Sequence, residues 1–185
     1  MSTSEASDDL DRAVVAPELQ PALRRYRRLY LSYGDLEEAK ATVEELLSAR
    51  LPLPRKNPPS SLLMALTTAL VVTYARPFVS TRGESEFAER SVPGSLLRVL
   101  TSRQREIHNY LLNVRNREVA HSDADKSEIY LKLYPDGHGA IFRVARAPFL
   151  RTELRDIHRI ITKLLKEVDH RCQELRGVLP LDIWM

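Results

Sequence analysis

The segment VRNREVAHSD, residues 114–123, sets Arg115, Asn116 and His121 within seven positions of one another. Both the arginine and the histidine suit work on a phosphate ester. A guanidinium meets phosphate oxygens with two parallel N–H donors and stabilises charge that grows on them. An imidazole that titrates near neutral pH can take a proton from a ribose 2′-hydroxyl or deliver one to a leaving oxygen. Such a pair can cut RNA without a metal and leave a cyclic phosphate.

Other chemistries find less support. Five histidines are present, but none forms an H-x-x-x-H pair and no acidic cluster completes a ligand set, so no metal or other cofactor is expected. Gly137 and Gly139 belong to turn chemistry rather than to a phosphate-cradling loop, and no G-x-S-x-G elbow occurs. The single cysteine, Cys172, falls on an apolar helical stripe and reads as a structural thiol. With no cysteine partner in the chain, a reducing compartment, the cytoplasm, is expected.

The elements that must position Arg115 and His121 follow from periodicity. With 185 residues, 43% of them hydrophobic, the chain can bury one ordinary core. Residues 1–17 are acidic and polar and read as a disordered tail; 18–185 read as one domain. Helices are expected from Pro21 to about Ser32, ended by Gly34; from an Asp35 cap over DLEEAKATVEELLSAR; and from Ser60 to about Ala75. That third helix falls short of the roughly 20 apolar residues of a membrane span, so it reads as a core helix and no membrane partner is expected. After the long polar loop PFVSTRGESEFAERSVPG, a helix of about six turns is expected from Gly94 through Leu96, Leu100, Ile107, Leu111 and Val114. Alternation in SEIYLKLY and AIFRVAR, about residues 127–146, marks a β-hairpin. A final helix, Leu150 to about Leu175, carries Leu154, Ile157, Ile161, Leu164, Leu165, Val168 and Cys172 on one stripe. The expectation is a mainly α bundle of about five helices with one hairpin inserted before the C-terminal helix.

Net charge is a mild +3. The arginine-rich LRRYRRLY, residues 23–30, reads either as a solvated face whose arginine stems cover apolar surface or as a nucleic-acid contact.

Here the sequence resembles the HEPN superfamily, defined by an arginine, four to six residues and a histidine, usually with Asn, Asp or His after the arginine. The RN dipeptide and AHSD are also similar to the abortive-infection branch of that family, with one residue more between them than its usual spacing. The resemblance implies a metal-independent endoribonuclease of toxin or phage-defence type, working as a homodimer on RNA, with an antitoxin or another protein as a further possible partner. His121 would be the general acid or base, Arg115 the phosphate and transition-state stabiliser, and Asn116 an orienting group. The family also contains non-catalytic RNA-binding or dimerisation modules, and a plain helical scaffold is the remaining alternative.

The spacing alone is permissive. Arg103 to His108 and Arg151 to His158 satisfy it too. Six residues of regular helix turn through about 600°, leaving Arg115 and His121 about 120° apart. The helix must therefore end or bend between them if one chain is to aim both at a phosphate. His108, seven residues before Arg115, projects from nearly the same side at the border of the apolar stripe. It reads as a border histidine bonded to a neighbour, or as a substrate-binding residue in a cleft shared by two subunits. Arg76, where Pro77 forces the buried helix to stop, is a further phosphate-binding candidate.

Overall fold

A computed structural model describes residues 16–49, 60–80, 87–116 and 149–180, together with the backbone of 129–133 and 139–143. Among these, four α-helices dominate: α1 (Gln20–Ser48), α2 (Ser61–Ala75), α3 (Ser102–Val114) and α4 (Arg151–Arg176). Short 3-10 turns precede α1 at Pro17–Leu19, follow α2 at Arg76–Phe78, and precede α3 at Gly94–Val99. Two five-residue strands, β1 (Ile129–Leu133) and β2 (Gly139–Arg143), pair antiparallel with Leu131 opposite Ile141.

The first departure from expectation is α1. It runs unbroken for 29 residues through Gly34, and Asp35 caps nothing. The apolar register explains this: Leu29, Leu36 and Val43 recur every seven residues, fall on one face across the glycine, and are fully buried. Burying each such side chain is worth about 2 kcal/mol, against about 1 kcal/mol for a helical glycine, so packing outweighs the local stop signal.

The second departure lies before α3. Residues Gly94–Val99 form a 3-10 turn, Leu100 is extended, and the α-helix starts only at Ser102. A reciprocal cap sets that start. The Gln104 N–H donates to Thr101 Oγ1 at 3.3 Å, and the Thr101 N–H donates to Gln104 Oε1 at 3.1 Å.

α1 and α4 make the most extensive contact in the fold. They are antiparallel: Arg151 Nη2 donates to Leu47 O near the start of α4, and His158 meets Glu44 two turns further on. α3 is antiparallel to α4 as well, since Lys163 reaches Gln104 and the Tyr110 ring lies edge-on to Phe149 at 6.3 Å. The C-terminal ends of α1 and α3 thus meet the N-terminal end of α4. The core combines Leu29, Leu36 and Val43 of α1, Leu70, Val71 and Tyr74 of α2, Leu111 and Val114 of α3, and Ile157, Ile160, Ile161, Leu164 and Val168 of α4. Leu150, expected to open the α4 stripe, is exposed because it precedes the helix.

The span Ser61–Phe78 is apolar and long enough to cross a bilayer by composition. Leu63, Leu70, Val71, Tyr74 and Ala75 within it are buried against the other helices.

Candidate phosphate-contacting site

Arg115 and Asn116 stand where α3 ends. The α-helix ends at Val114; Arg115 keeps α-helical dihedrals, φ −56° and ψ −49°, with its N–H on Leu111 O and Leu112 O, and a π-type turn follows at Arg115 and Asn116. Widened turns of this kind are frequent at functional positions, because they re-aim side chains relative to the helix. The Arg115 side chain is half-buried, Asn116 is exposed, and Arg115 Nη1 donates to Asn116 Oδ1 at 3.0 Å. One donor of the guanidinium is thereby committed to a neutral carbonyl, and its positive charge is not neutralised by that contact. His121 lies outside the described residues.

The structure does not bring His108 and Arg76 to this place. His108, expected at the border of the stripe as a substrate contact, is buried inside the bundle at 2% exposure. The Tyr74 hydroxyl approaches its Nδ1 at 2.9 Å, and the Phe78 ring lies edge-on at 4.6 Å. Burial lowers its pKa to about 4 and raises that of Tyr74, so both rings are neutral near pH 7. A neutral phenol and a neutral imidazole can share this bond in either direction, the Nδ1 role following the ring's tautomer. His108 thus anchors α3 to α2, and the border reading, a histidine bonded to its neighbour, describes its bond though not its depth.

Arg76 sits at the exit of α2 as expected, but its guanidinium is engaged by two carboxylates, Asp35 at 3.3 Å and Glu38 at 2.9 Å. Burial raises the Asp35 pKa and the bond from Arg76 opposes the rise. Beneath this pair, the buried Arg28 donates through Nη2 to the carbonyls of Arg76 at 2.6 Å and Pro77 at 2.8 Å, closing the end of α2. Burial lowers the Arg28 pKa.

The other arginines of LRRYRRLY explain the run. Arg25 pairs with Glu89 at 3.3 Å, and Arg27 lies over the Phe87 ring at 4.1 Å while donating to Phe87 O. The Glu89 N–H returns a bond to Arg24 O. This segment of α1 therefore fastens the chain between α2 and α3, a role that no local sequence signal announced.

Cys172 is half-buried against the core, and burial together with Asp169 raises its thiol pKa to about 11. That disfavours the thiolate a nucleophile requires. Among the described residues, no group of three or more His, Cys, Asp or Glu side chains is placed to hold a metal ion.

One further pair escaped the sequence reading. His158 Nε2 meets Glu44 Oε1 at 3.0 Å across the α1/α4 seam, and that bond is the main cause of a lowered Glu44 pKa. The signal that could have found this face was the seven-residue spacing of Arg151 and His158, which places both on one side of a continuous helix.

Together the elements define a mainly helical bundle that presents an arginine and an asparagine at the end of one helix. Comparison with known families, with curated proteins and with solved structures finds no match for this chain.

Proposed function

We propose that the chain is a metal-independent endoribonuclease of the toxin or phage-defence type, built on a HEPN-like bundle with an inserted hairpin and acting as a cytoplasmic homodimer. The observation that carries this reading is the bond from Arg115 to Asn116 at the C-terminal end of α3. That bond fixes one edge of the guanidinium and leaves its other donors to meet phosphate oxygens. Convergence of Arg115 and His121 on one phosphate further requires the chain to change direction after Asn116. In the reaction, His121 removes the proton of a ribose 2′-hydroxyl as its oxygen attacks phosphorus. The P–O5′ bond breaks and the 5′-oxygen of the next nucleotide takes a proton from water, while Arg115 stabilises the charge on the pentacoordinate phosphorane. The products are a 2′,3′-cyclic phosphate and a 5′-hydroxyl. His108 and Arg76 take no part in this scheme, since both are engaged within the fold.

A scaffold for a protein partner is less well supported. That reading calls for open apolar faces beside His108; Leu111 and Val114 are buried, and the exposed Tyr110 with the partly buried Ile107 is the apolar surface on α3 that it could use.

The test is cleavage of RNA by purified protein, in chelator, beside Arg115→Ala and His121→Ala prepared in parallel. The expected result is cleavage leaving cyclic-phosphate ends, reduced about 100-fold or more in either variant. Equal cleavage by all three preparations, or none by the wild type, refutes the enzyme.

A further inference from the structure

The Arg151-to-His158 spacing, which the proposed reaction leaves unused, becomes a defined surface in the structure. Arg151, Arg155 and His158 stand at i, i+4 and i+7 of α4, so they fall within about 60° of one another around the helix. Arg151 and Arg155 are exposed, and the His158 side chain is 32% exposed. Arg151 donates through Nη2 to Leu47 O, in the negatively polarised last turn of α1. Arg155 makes no ion pair or hydrogen bond among the described residues. Lys40 lies across the seam, 3.8 Å from Glu44. The side therefore offers an uncommitted guanidinium beside a histidine oriented by a carboxylate.

The orientation decides the chemistry. An ionised carboxylate only accepts hydrogen bonds, so the Glu44 contact places a proton on Nε2 of His158. The tautomer this bond selects carries its proton on Nε2 and has Nδ1 as acceptor, and Nδ1 has no partner among the described residues. An acceptor is the wrong group for a phosphate oxygen and the right one for a hydroxyl. Arg155, one helical turn away, is the right group for phosphate.

We infer that Arg155 and His158 form a ribose-phosphate contact on the outer side of α4, with the guanidinium on a phosphate oxygen and Nδ1 accepting from a 2′-hydroxyl. The ligand class is single-stranded RNA, distinguished from DNA by the sugar. The contact lies toward the same end of the bundle as Arg115, because α3 ends where α4 begins. It rests on the RNA reading proposed above but not on cleavage.

The test is fluorescence anisotropy of a labelled single-stranded RNA and the DNA of the same sequence, across a salt series, with the full chain in wild-type and His121→Ala backgrounds. Arg155→Ala weakens both nucleic acids and reduces the salt dependence by about one ion per site. His158→Ala lowers RNA affinity about three- to tenfold and leaves DNA unchanged, which also serves as the control for folding. His158→Gln, with an amide oxygen that can accept, retains part of the preference for RNA. An unchanged salt slope in Arg155→Ala, or an unchanged RNA-to-DNA ratio in His158→Ala, overturns the inference, as does a wild type that binds neither. Wild type that prefers RNA through these residues yet never cuts it leaves the inference standing and removes the nuclease. Wild type that cuts RNA while both variants bind as it does removes the inference alone.

Discussion

Acidification should loosen this protein through His108. Its ring is buried at 2% exposure, shares a hydrogen bond with the Tyr74 hydroxyl, and has its pKa lowered from 6.5 to about 4 by desolvation. In the unfolded chain the same ring titrates near 6.5. Between those two values the unfolded state holds a proton that the folded state does not, so stability falls as pH falls. Above about pH 6.5 the contribution is fully present; by about pH 4 it is lost. The difference of roughly two and a half pKa steps, at 1.36 kcal/mol each, amounts to about 3 kcal/mol, a large part of the net stability of a domain of this size. Urea denaturation from pH 4 to 7.5 measures it, using His108→Gln as reference. The glutamine amide can accept from or donate to Tyr74 but does not titrate, so carboxylate contributions common to both proteins cancel in the difference. Wild type should lose about 3 kcal/mol relative to the variant over that range. Parallel pH profiles would refute the argument and with it the placement of this ring.

Three other substitutions test the fold. Gly34→Ala should stabilise the protein by about 1 kcal/mol, seen as a higher urea midpoint, because the position is inside α1 and an added Cβ meets nothing within 4 Å. Thr101→Ala removes the acceptor for the Gln104 N–H and should cost about 1 kcal/mol in the same assay, with faster amide exchange confined to the first turn of α3. Arg28→Met leaves the carbonyls of Arg76 and Pro77 without their donor and should cost about 2–3 kcal/mol, with a cooperative transition retained.

What could be read from the sequence depended on the range of the forces involved. The α4 stripe from Leu154 to Val168 is buried as its spacing indicates, since 3.6-residue periodicity records burial directly. Gly34 misled because a local propensity was set against a register that continues through it from Leu29 to Val43. The 3-10 turn before α3 hid within helical periodicity, although the Thr101-x-x-Gln104 box that starts the helix was present in the letters. Tyr74 and His108 lie 34 positions apart, and nothing local indicated that one would hold the other inside. Of the candidate site, the adjacency of Arg115 and Asn116 was in the letters but the bond between them was not, and the engagement of Arg76 by Asp35 and Glu38 arises from tertiary packing.

The pairing of α1 with α4 also sets a timetable for synthesis. The contacts of Leu47 with Arg151 and of Glu44 with His158 join residues 104 and 114 positions apart. During translation, the face of α1 that ends up against α4 waits, uncovered, until the residues of α4 have left the ribosome. The helix that carries Arg115 is made earlier but has no finished bundle to rest on. Until α4 is made, α3 and the Arg115–Asn116 end it carries therefore lack the partner against which they pack.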